Sequence, residues 1–419
     1  LMEQDSWKYI IINGKSQWLK VKNPTYEKGI LSSIEDLKPF DKKKEDGTPI
    51  EPTLEDAQLE KRRIYSDFFK KAFKNILVLS GAGSSMDVGG LSMAQLWNKA
   101  EEKYNEKNPK GFKTICDAVN YKYEDKDLEK LLSQIEGFCK FSKDSKIKVA
   151  EDDEETPLSV IKEELFTLIK TLCTISEPES NFPHKILLEK LLQRKQTNPR
   201  VKIFTLNYDL LFEKAATAVN AIVIDGFSFT FPRTFSGRYF DYDIVQREGS
   251  KLKEEDNFIH RVFHLHKLHG SINWERNEEN NSVEIHANPK RALMVYPREA
   301  KYEDSYEQPF FEMMARFQRN LRLNNDTLLI CVGYSFNDKH INAAIEEALN
   351  QNPGFRLAVI DPGFDNDNIS NSSLAIKKSA LESERILMIS ESFTDFAKFY
   401  PEIKTYEINS LEHINLKND

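Results

Sequence analysis

The stretch NILVLSGAGSSMDVGGLSMAQLWNKA, residues 75–100, contains the pattern that decides the fold. Ile76 to Leu79 form a continuous apolar run, which is typical of a strand buried on both faces. A loop of small residues follows, and after it Leu91, Leu96 and Trp97 recur at helical spacing. The order strand, glycine-rich turn and helix is the unit from which parallel α/β sheets are built.

The glycine-rich turn is a candidate phosphate-binding loop. Gly81 and Gly83 would let the backbone approach a bound group, and the N–H groups of the loop and the next helix suit a phosphate. The Rossmann fingerprint G-x-G-x-x-G is incomplete, because Met86 stands where its third glycine would be. Two interpretations therefore stay open: a phosphate site, or glycines that only turn the chain.

Further apolar runs predict more strands. They are VKIFTLNYD (201–209), FHLHKLHGSINW (263–274), ALMVYP (292–297), TLLICVGYS (327–335) and RLAVIDP (356–362). We predict an α/β fold with a Rossmann-like, doubly wound parallel sheet. Because ligands bind at the carboxyl ends of such strands, four strand ends point to one pocket, namely residues 81–85, 207–209, 269–271 and 333–335.

Segments on either side of this pattern suggest how the chain is divided. WKYIIINGKSQWLKV (7–21) has two β-rich runs joined by Asn13-Gly14, which predicts an N-terminal β-hairpin. A lone hairpin is marginal in water, so we expect it to dock on the body of the protein or on another subunit. Helical periodicity over about 100–200 predicts a helical insertion. We predict a hairpin and linker for assembly at 1–62, a main domain at 63–365 and a C-terminal extension at 366–419.

Composition and charge narrow the class of function. The 419 residues carry a formal net charge of −8, which argues against a protein whose main task is to bind nucleic acid. No apolar run reaches the about 18 residues that a membrane span needs. The four cysteines lie far apart without a CxxC pair, and no stretch resembles a secretory leader. We therefore expect reduced thiols, a cytoplasmic location and no metal site.

Polar residues at the strand ends also have structural interpretations. Asn207 or Asp209 could cap the helix that begins near residue 210, because both residue types are favoured at helix N-termini. His264 and His266 share one strand face by alternation, whereas His269 falls at the strand end. This arrangement favours two structural histidines and one site histidine over a zinc cluster.

Four motifs, taken together and in order, resemble a known family. GAGSS (81–85), TLNYD (205–209), KLHGS (267–271) and VGYS (332–335) are similar to the ordered motifs of the sirtuin (silent information regulator) superfamily. They are more similar still to its bacterial branch, which degrades NAD+ in anti-phage defence. The resemblance covers about residues 70–365 and implies that the main domain binds NAD+ as a substrate, without a metal.

The resemblance also implies roles for individual residues. Asn207 matches the family's asparagine beside the nicotinamide ribose, and His269 matches its catalytic histidine. A neutral amide can both donate and accept a hydrogen bond, and a histidine can accept a proton at neutral pH. The implied cofactor-binding residues are Gly81, Ala82, Gly83, Ser84, Ser85, Thr205, Tyr208, Asp209, Gly333 and Ser335.

The sequence departs from the deacetylase members of that superfamily. Those members carry a zinc module held by two CxxC pairs, and no such pair occurs here. After GAGSS the chain reads GGLSMAQLW instead of a PDFR-like stretch. We therefore expect hydrolysis of NAD+ to nicotinamide and ADP-ribose, which would deplete NAD+ in abortive infection. The alternatives are an NAD-dependent protein deacylase, an ADP-ribosyltransferase, or a non-catalytic assembly module that binds NAD+ or ADP-ribose.

Partners are likewise implied by the resemblance. Chains of about this architecture in the bacterial branch resemble the partner of a HerA-type hexameric ATPase. We therefore expect a homo-oligomer, such as a large ring, and an activating signal that arrives through a partner protein. Neither a membrane nor a nucleic acid is expected to be a direct partner.

Overall fold

A computed structural model of the chain describes residues 7–27, 30–106, 108–141, 146–149, 154–176, 178, 180–195, 197–246, 258–294, 308–323, 326–365 and 370–402. The strands in this part are β1 (Trp7–Asn13), β2 (Gln17–Lys22), β3 (Thr25–Glu27), β4 (Ile30–Ser33), β5 (Asp36–Lys38), β6 (Asn75–Ser80), β7 (Lys146–Ile147), β8 (Thr156–Pro157), β9 (Val201–Thr205), β10 (Ile222–Ile224), β11 (Val262–Lys267), β12 (Gly270–Ser271), β13 (Trp274–Arg276), β14 (Val283–Ile285), β15 (Leu293–Met294), β16 (Thr327–Val332), β17 (Phe355–Ile360) and β18 (Ile386–Ile389).

The α-helices alternate with these strands. They are α1 (Leu54–Phe69), α2 (Gly83–Met86), α3 (Met93–Asn105), α4 (Gly111–Ala118), α5 (Leu128–Phe141), α6 (Leu158–Cys173), α7 (Pro183–Leu191), α8 (Leu211–Ala218), α9 (Phe310–Leu321), α10 (Lys339–Gln351), α11 (Asn371–Glu382) and α12 (Phe393–Phe399). Over the described ranges, none of the helices combines the length and the apolar character that crossing a membrane requires.

Ten strands form the central sheet, in the order β10-β11-β9-β6-β16-β17-β18-β1-β2-β5. In this sheet order, all strands from β10 to β18 run parallel to one another. Strands β1, β2 and β5 extend the sheet beyond β18, and each is antiparallel to its neighbour. From β6 the chain first passes to β9 on one side and later returns to β16 on the other. β6 therefore borders the topological switch point, where doubly wound sheets form their ligand crevice. The predicted Rossmann-like sheet is confirmed.

Burial explains why β6 lies at the centre. All six of its residues are buried, and their side chains alternate between the two faces of the sheet. Ile76 and Val78 join the core under α1, α7, α8 and α12, whereas Leu77 and Leu79 join the core under α9, α10 and α11. A strand covered by helices on both faces is expected to be apolar in its central part, as the run Ile76–Leu79 indicated.

The helical insertion has a core of its own. Helices α3 to α6 enclose a third cluster that includes Trp97, Phe112, Leu131 and Leu165. The insertion predicted at about 100–200 is therefore present, although α7 at its end covers the sheet instead.

Two of the predicted strands are shorter than expected. The run at 263–274 leaves the central sheet after Lys267, and its remainder forms the small strands β12 and β13. In the run at 292–297 only Leu293–Met294 is a strand, which pairs with β12, and residues 295–297 lie outside the described residues. Apolar runs show which residues are buried, but hydrogen-bond partners decide where a strand stops.

The N-terminal hairpin docks on the body of its own chain. Strands β1 and β2 pair around the turn at residues 14–16, and Ile11 and Ile12 of β1 face Ile389 and Met388 of β18. The predicted hairpin is confirmed, and the edge of β1 that faces away from β2 is paired with β18. Its role in assembly, and the division into 1–62, 63–365 and 366–419, stay predictions.

A buried cluster of charges ties α1 to the C-terminal part of the chain. Lys61 Nζ lies 2.8 Å from Glu391 Oε1 and 2.9 Å from Asp395 Oδ2. The Tyr65 hydroxyl donates to Glu391 Oε2 at 3.0 Å. Burial raises the pKa of Glu391 to about 7, and the charge of Lys61 opposes this rise. The two carboxyl groups thus depend on one buried ammonium group.

We expect Lys61→Met to lower the free energy of unfolding by about 3–5 kcal/mol at pH 8, because it leaves two buried carboxyl groups without their cation. Urea unfolding would measure this loss. Arg63→Met on the same helix is the matched control, because Arg63 is exposed and pairs with Glu60 at 2.6 Å on the surface. The control should change stability by less than about 1 kcal/mol. Equal losses in the two variants would contradict a structural role for the buried cluster.

Candidate active site

Four neighbouring strands of the sheet end on one row of paired residues. The row runs across β11, β9, β6 and β16 and consists of Lys267, Thr205, Ser80 and Val332. Asn207 and His269 each lie two residues beyond their strand's member of this row. The motifs predicted from sequence to meet at one pocket therefore leave the sheet side by side.

Two of the strand-end loops touch each other directly. Gly83 N–H donates to the Gly333 carbonyl at 2.9 Å. Gly333 has a φ of +59°, and a Cβ added to it would lie 2.1 Å from Ser84 N. A Cβ on Gly81 would lie 2.6 Å from Gly333 O. These glycines allow backbone to pack on backbone, which is a reason for their presence that does not involve a ligand.

The loop at 81–85 closes on itself as the short helix α2. Ser84 N–H donates to Gly81 O at 3.0 Å, and Ser85 N–H donates to Ala82 O at 3.1 Å. Gly81 N–H donates to Val332 O at 3.0 Å and Gly83 N–H to Gly333 O, so four of the loop's N–H groups have partners inside the protein. A phosphate held here would meet fewer free N–H groups than the sequence suggests, and Ala82 is the exposed residue of the loop.

Asn207 links its own strand end to this loop. Its Nδ2 donates to Gly81 O at 3.0 Å, to Ser84 Oγ at 3.1 Å and to Ser85 Oγ at 2.9 Å. Its backbone N–H donates to Thr205 Oγ1 at 3.1 Å. The alternative that Asn207 caps the next helix is wrong, because the N-cap of α8 is Leu210 and no side-chain cap hydrogen bond is formed there. Its Oδ1 is the atom left to accept a hydrogen bond from a bound group.

Asp209 has the structural role considered for it from the sequence. Its Oδ1 accepts the N–H of Leu211, the first residue of α8, at 3.0 Å. Its Oδ2 accepts the Ser85 hydroxyl at 2.7 Å. The buried carboxylate therefore accepts the first N–H of α8 and also holds the loop at 81–85 in place.

His269 pairs with an aspartate that the sequence analysis did not identify. His269 Nε2 lies 3.5 Å from Asp338 Oδ2, and the two side chains are only 16% and 13% exposed. Asp338 Oδ1 also accepts the N–H groups of His340 and Ile341 at the start of α10, at 2.9 and 3.2 Å. Burial by itself would raise the pKa of Asp338, but the His269 hydrogen bond and these N–H groups hold that pKa below its usual value.

A carboxyl group of the insertion has a raised pKa. Burial raises the pKa of Glu129, in the first turn of α5, to about 7. The charge of His269 and a hydrogen bond with Tyr208 oppose this rise, whereas the negative charges of Asp127 and Asp338 add to it. From sequence, Glu129 looked like one more charge on an amphipathic helix, and no local signal distinguishes it.

The two strand histidines are part of the core, as predicted. His266 lies between Phe240 and Phe204, with ring centroids 4.1 and 4.4 Å away. Burial lowers the pKa of His264 to about 3 and lowers that of His266 well below its usual value. Over the residues that the structure describes, no group of three or more His, Cys, Asp or Glu side chains is arranged to hold a metal ion.

The remaining predicted residues take different positions around the crevice. Tyr208 is buried against the core of the insertion, and its carbonyl accepts Ile272 N–H at 3.0 Å. Thr205 is buried at the end of β9, and Ser335 is exposed beyond β16. Of these predicted residues, Thr205 and Tyr208 are therefore buried, whereas Ser335 is exposed to solvent.

The strand ends that carry Asn207, His269 and Gly333 belong to one recognisable region. Residues 201–389 match the family model of the SIR2-like domain. This SIR2-like region contains Asn207, His269 and Asp338, whereas the loop at 81–85 and Glu129 precede it. The match supports the resemblance of this region to sirtuins.

Two solved sirtuin structures are among those similar to the chain. One is Sir2Tm bound to a propionylated peptide, with 13% identity and a TM-score of 0.33, covering 81% of this chain and 96% of that one. The other is Sir2 in complex with the inhibitor EX-527, 2′-O-acetyl-ADP-ribose and a deacetylated p53 peptide, with 13% identity and a TM-score of 0.33, covering 80% and 96%. No curated protein matches the sequence.

The loop contact leads to a stability prediction. We expect Gly333→Ala to lower the free energy of unfolding by about 2 kcal/mol or more, because the new Cβ combines a strained φ with a clash against Ser84 N. Gly89→Ala is the control, since Gly89 has a φ of +88° but open space around its Cβ position. The control should lose only about 1 kcal/mol, from φ strain alone. If urea unfolding gave equal losses, the contact between the loops would not be tight.

Proposed function

We propose that this protein is an NAD+ glycohydrolase, which cleaves the nicotinamide–ribose bond of NAD+ to give nicotinamide and ADP-ribose. One observation carries the proposal. Thr205 and Lys267 are paired on the adjacent strands β9 and β11, and Asn207 and His269 each lie two residues further along the chain. Both residues therefore lie at the switch point beside β6. Both lie within the SIR2-like region. The crevice there is where a doubly wound sheet binds a dinucleotide.

The chemistry requires a positive centre to form and a proton to leave. When the bond between N1 of nicotinamide and C1′ of ribose breaks, its electrons neutralise the pyridinium, and C1′ gains oxocarbenium character. A water oxygen then bonds to C1′, and one water proton must be removed. The products are neutral nicotinamide, ADP-ribose and one proton.

The residues of the site suit these demands. His269 would accept the water proton, and the Asp338 carboxylate at 3.5 Å would stabilise the imidazolium that forms. Asn207 Nδ2 is engaged by the loop at 81–85, so Oδ1 would orient the water or a ribose hydroxyl. The two residues therefore approach the reacting carbon from neighbouring strands.

Hydrolysis is favoured over protein deacylation by the cysteine pattern. The sequence has no CxxC pair, so the zinc module of deacetylases has no ligands of the usual kind. ADP-ribosyl transfer would use the same pocket with a different acceptor, and a non-catalytic module would bind NAD+ without turnover. Release of nicotinamide in the absence of an acyl-lysine peptide separates hydrolysis from deacylation.

We extend the proposal to the biological setting on the basis of the sequence motifs alone. NAD+ depletion would serve anti-phage defence by abortive infection, in a homo-oligomer that assembles with a HerA-type hexameric ATPase. Size-exclusion chromatography with light scattering, with and without that ATPase, would test this. A monomer that fails to bind the ATPase would contradict the assembly.

We expect Asn207→Ala and His269→Ala each to lower kcat/KM for nicotinamide release by about 100-fold or more, because each removes a group that contacts the reacting atoms. Chromatographic assay of NAD+ and nicotinamide, alone and with the candidate ATPase, would measure this. His286→Ala is a matched control, because His286 is 43% exposed and lies beyond β14. Turnover at the wild-type rate in both site variants, or release that needs an acyl-lysine peptide, would refute the proposal.

We expect Asp338→Asn to lower kcat for NAD+ cleavage about tenfold or more with little change in folding stability. Asparagine also caps helices, so α10 keeps its N-terminus, but the charge beside His269 is lost. Steady-state kinetics and thermal unfolding of the same preparation separate the two effects. An unchanged kcat would remove Asp338 from the mechanism.

A further inference from the structure

The side chain of Asn207 is held by a series of hydrogen bonds that begins at Asp209. Asp209 Oδ2 accepts the Ser85 hydroxyl at 2.7 Å, and Ser85 Oγ accepts Asn207 Nδ2 at 2.9 Å. Ser85 and Asp209 are only 4% and 8% exposed, so water competes little for these bonds. A carboxylate and a hydroxyl thus stand behind the amide of the proposed site.

The proton of the Ser85 hydroxyl decides the direction of this series. An ionised carboxylate can only accept hydrogen bonds, so the single Ser85 proton goes to Asp209. Towards Asn207, Ser85 Oγ can then only accept, and the amide must turn its nitrogen to it. The charge of Asp209 also polarises the hydroxyl, which makes its oxygen a better acceptor.

Two further contacts of Asn207 Nδ2 favour the same orientation of the amide. Gly81 O, at 3.0 Å, can only accept. Ser84 Oγ, at 3.1 Å, donates its own proton to Gly81 O at 2.8 Å. An amide turned the other way would bring Oδ1 against these acceptors. Ser85 is the nearest of the three partners and the one that is polarised by a charge.

The main chain around Asn207 is fixed independently of these bonds. Asn207 N–H donates to Thr205 Oγ1 at 3.1 Å. Lys267, which is 2% exposed, donates from Nζ to the carbonyl of Tyr208 at 3.4 Å and to that of Asp209. Since the backbone on both sides of Asn207 is held, the freedom that remains is rotation of its side chain. The contacts of Nδ2 restrict this rotation.

We infer that Ser85 and Asp209 are positioning residues for the proposed NAD+ cleavage, which hold the amide of Asn207 so that its Oδ1 stays available to NAD+. The inference rests on the proposed function. The sirtuin resemblance implies that both residues bind the cofactor, whereas their burial and their mutual hydrogen bond support a role behind Asn207. Neither residue forms a bond to the substrate, so hydrolysis involves the same atoms and protons with or without them.

We expect Ser85→Ala, which removes the acceptor, to lower kcat for NAD+ cleavage about tenfold and to change KM by less than about threefold. An amide that rotates still admits NAD+ but no longer orients the water or ribose hydroxyl. Steady-state kinetics of nicotinamide release by the full-length protein, with and without the candidate ATPase, would measure both constants. A wild-type kcat would overturn the inference. So would a raised KM with unchanged kcat, which would indicate direct binding of the cofactor by Ser85.

Ser390→Ala is the matched control, because it also removes the hydroxyl of a buried serine. Ser390 is 7% exposed, and its hydroxyl donates to Pro362 O at 3.1 Å. It follows β18, which is three strands from β6 in the sheet. This variant should keep the wild-type kcat. A loss equal to that of Ser85→Ala would contradict a specific role for Ser85.

Asp209→Asn tests the direction of the hydrogen bonds with a side chain of the same size. Asparagine keeps an oxygen for Leu211 N–H, but its nitrogen would donate to Ser85 Oγ. The Ser85 proton is then free to turn to Asn207, where it opposes the amide nitrogen. We expect kcat to fall about tenfold, and thermal unfolding of the same preparation checks that the variant folds. An unchanged kcat would overturn the inference for Asp209.

A coupling measurement distinguishes positioning of Asn207 from a general structural role. In an Asn207→Ala background, Ser85→Ala and Asp209→Asn should each lower the residual kcat by less than about twofold, because the group that they position is gone. A structural role would lower turnover by the same factor in both backgrounds, and that result would overturn the inference.

A further measurement needs no turnover. In NMR spectra of the isotope-labelled protein, the side-chain amide of Asn207 is the signal that disappears in Asn207→Ala. An amide held by hydrogen bonds is protected from hydrogen exchange, so its exchange should be about fivefold faster or more in Ser85→Ala than in wild type or Ser390→Ala. Equal exchange rates would show that Ser85 does not hold the amide.

These outcomes separate the inference from the proposed function. If the wild type releases no nicotinamide with or without the ATPase, or Asn207→Ala keeps full turnover, the proposed function fails and the inference fails with it. If Asn207→Ala loses turnover but Ser85→Ala and Asp209→Asn keep the wild-type kcat, only the inference fails.

Discussion

The contact between the loop at 81–85 and Gly333 is the constraint on which the rest of the site depends. β6 and β16 end on the same row of the sheet, so the two loops must either diverge or pack backbone on backbone. Glycines permit the second solution. Once the first loop is closed, the hydroxyls of Ser84 and Ser85 reach Asn207, and Ser85 also reaches Asp209. The position of the asparagine thus follows from a steric requirement two strands away.

The crevice combines two kinds of polar group. On the side of β6 and β9 the hydrogen bonds of Asn207 join a neutral amide, two hydroxyls and a carbonyl, and the Ser85 hydroxyl connects them to the Asp209 carboxylate. On the side of β11, His269 Nε2 lies 3.5 Å from the carboxylate of Asp338, the N-cap of α10. In the proposed reaction this carboxylate would compensate the positive charge that forms on the imidazole.

The fold was predictable where burial decides it. The central residues of β6 and β16 are apolar because helices cover both faces of the sheet. Asn13-Gly14 predicts the hairpin of β1 and β2. The run at 292–297 was predicted to be a strand of the central sheet, but Leu293–Met294 pairs with β12 in a separate small sheet. A short strand outside the central sheet can be as apolar as one inside it. Nothing local in β1 indicates that its partner is β18, since the two are separated by most of the chain and meet only through the fold.

For the site, the sequence by itself determined the strand-end residues Asn207 and His269, because consecutive parallel strands deliver their carboxyl ends to one edge. It also allowed either Asn207 or Asp209 to cap the next helix, and only the tertiary structure showed that the Asp209 carboxylate accepts the first N–H of α8 whereas Asn207 Nδ2 donates to the loop at 81–85. The pairing of His269 with Asp338 was decided by tertiary structure alone. It depends on α10 beginning beside His269, and a single carboxylate at a helix N-terminus carries no local sign of its distant neighbour.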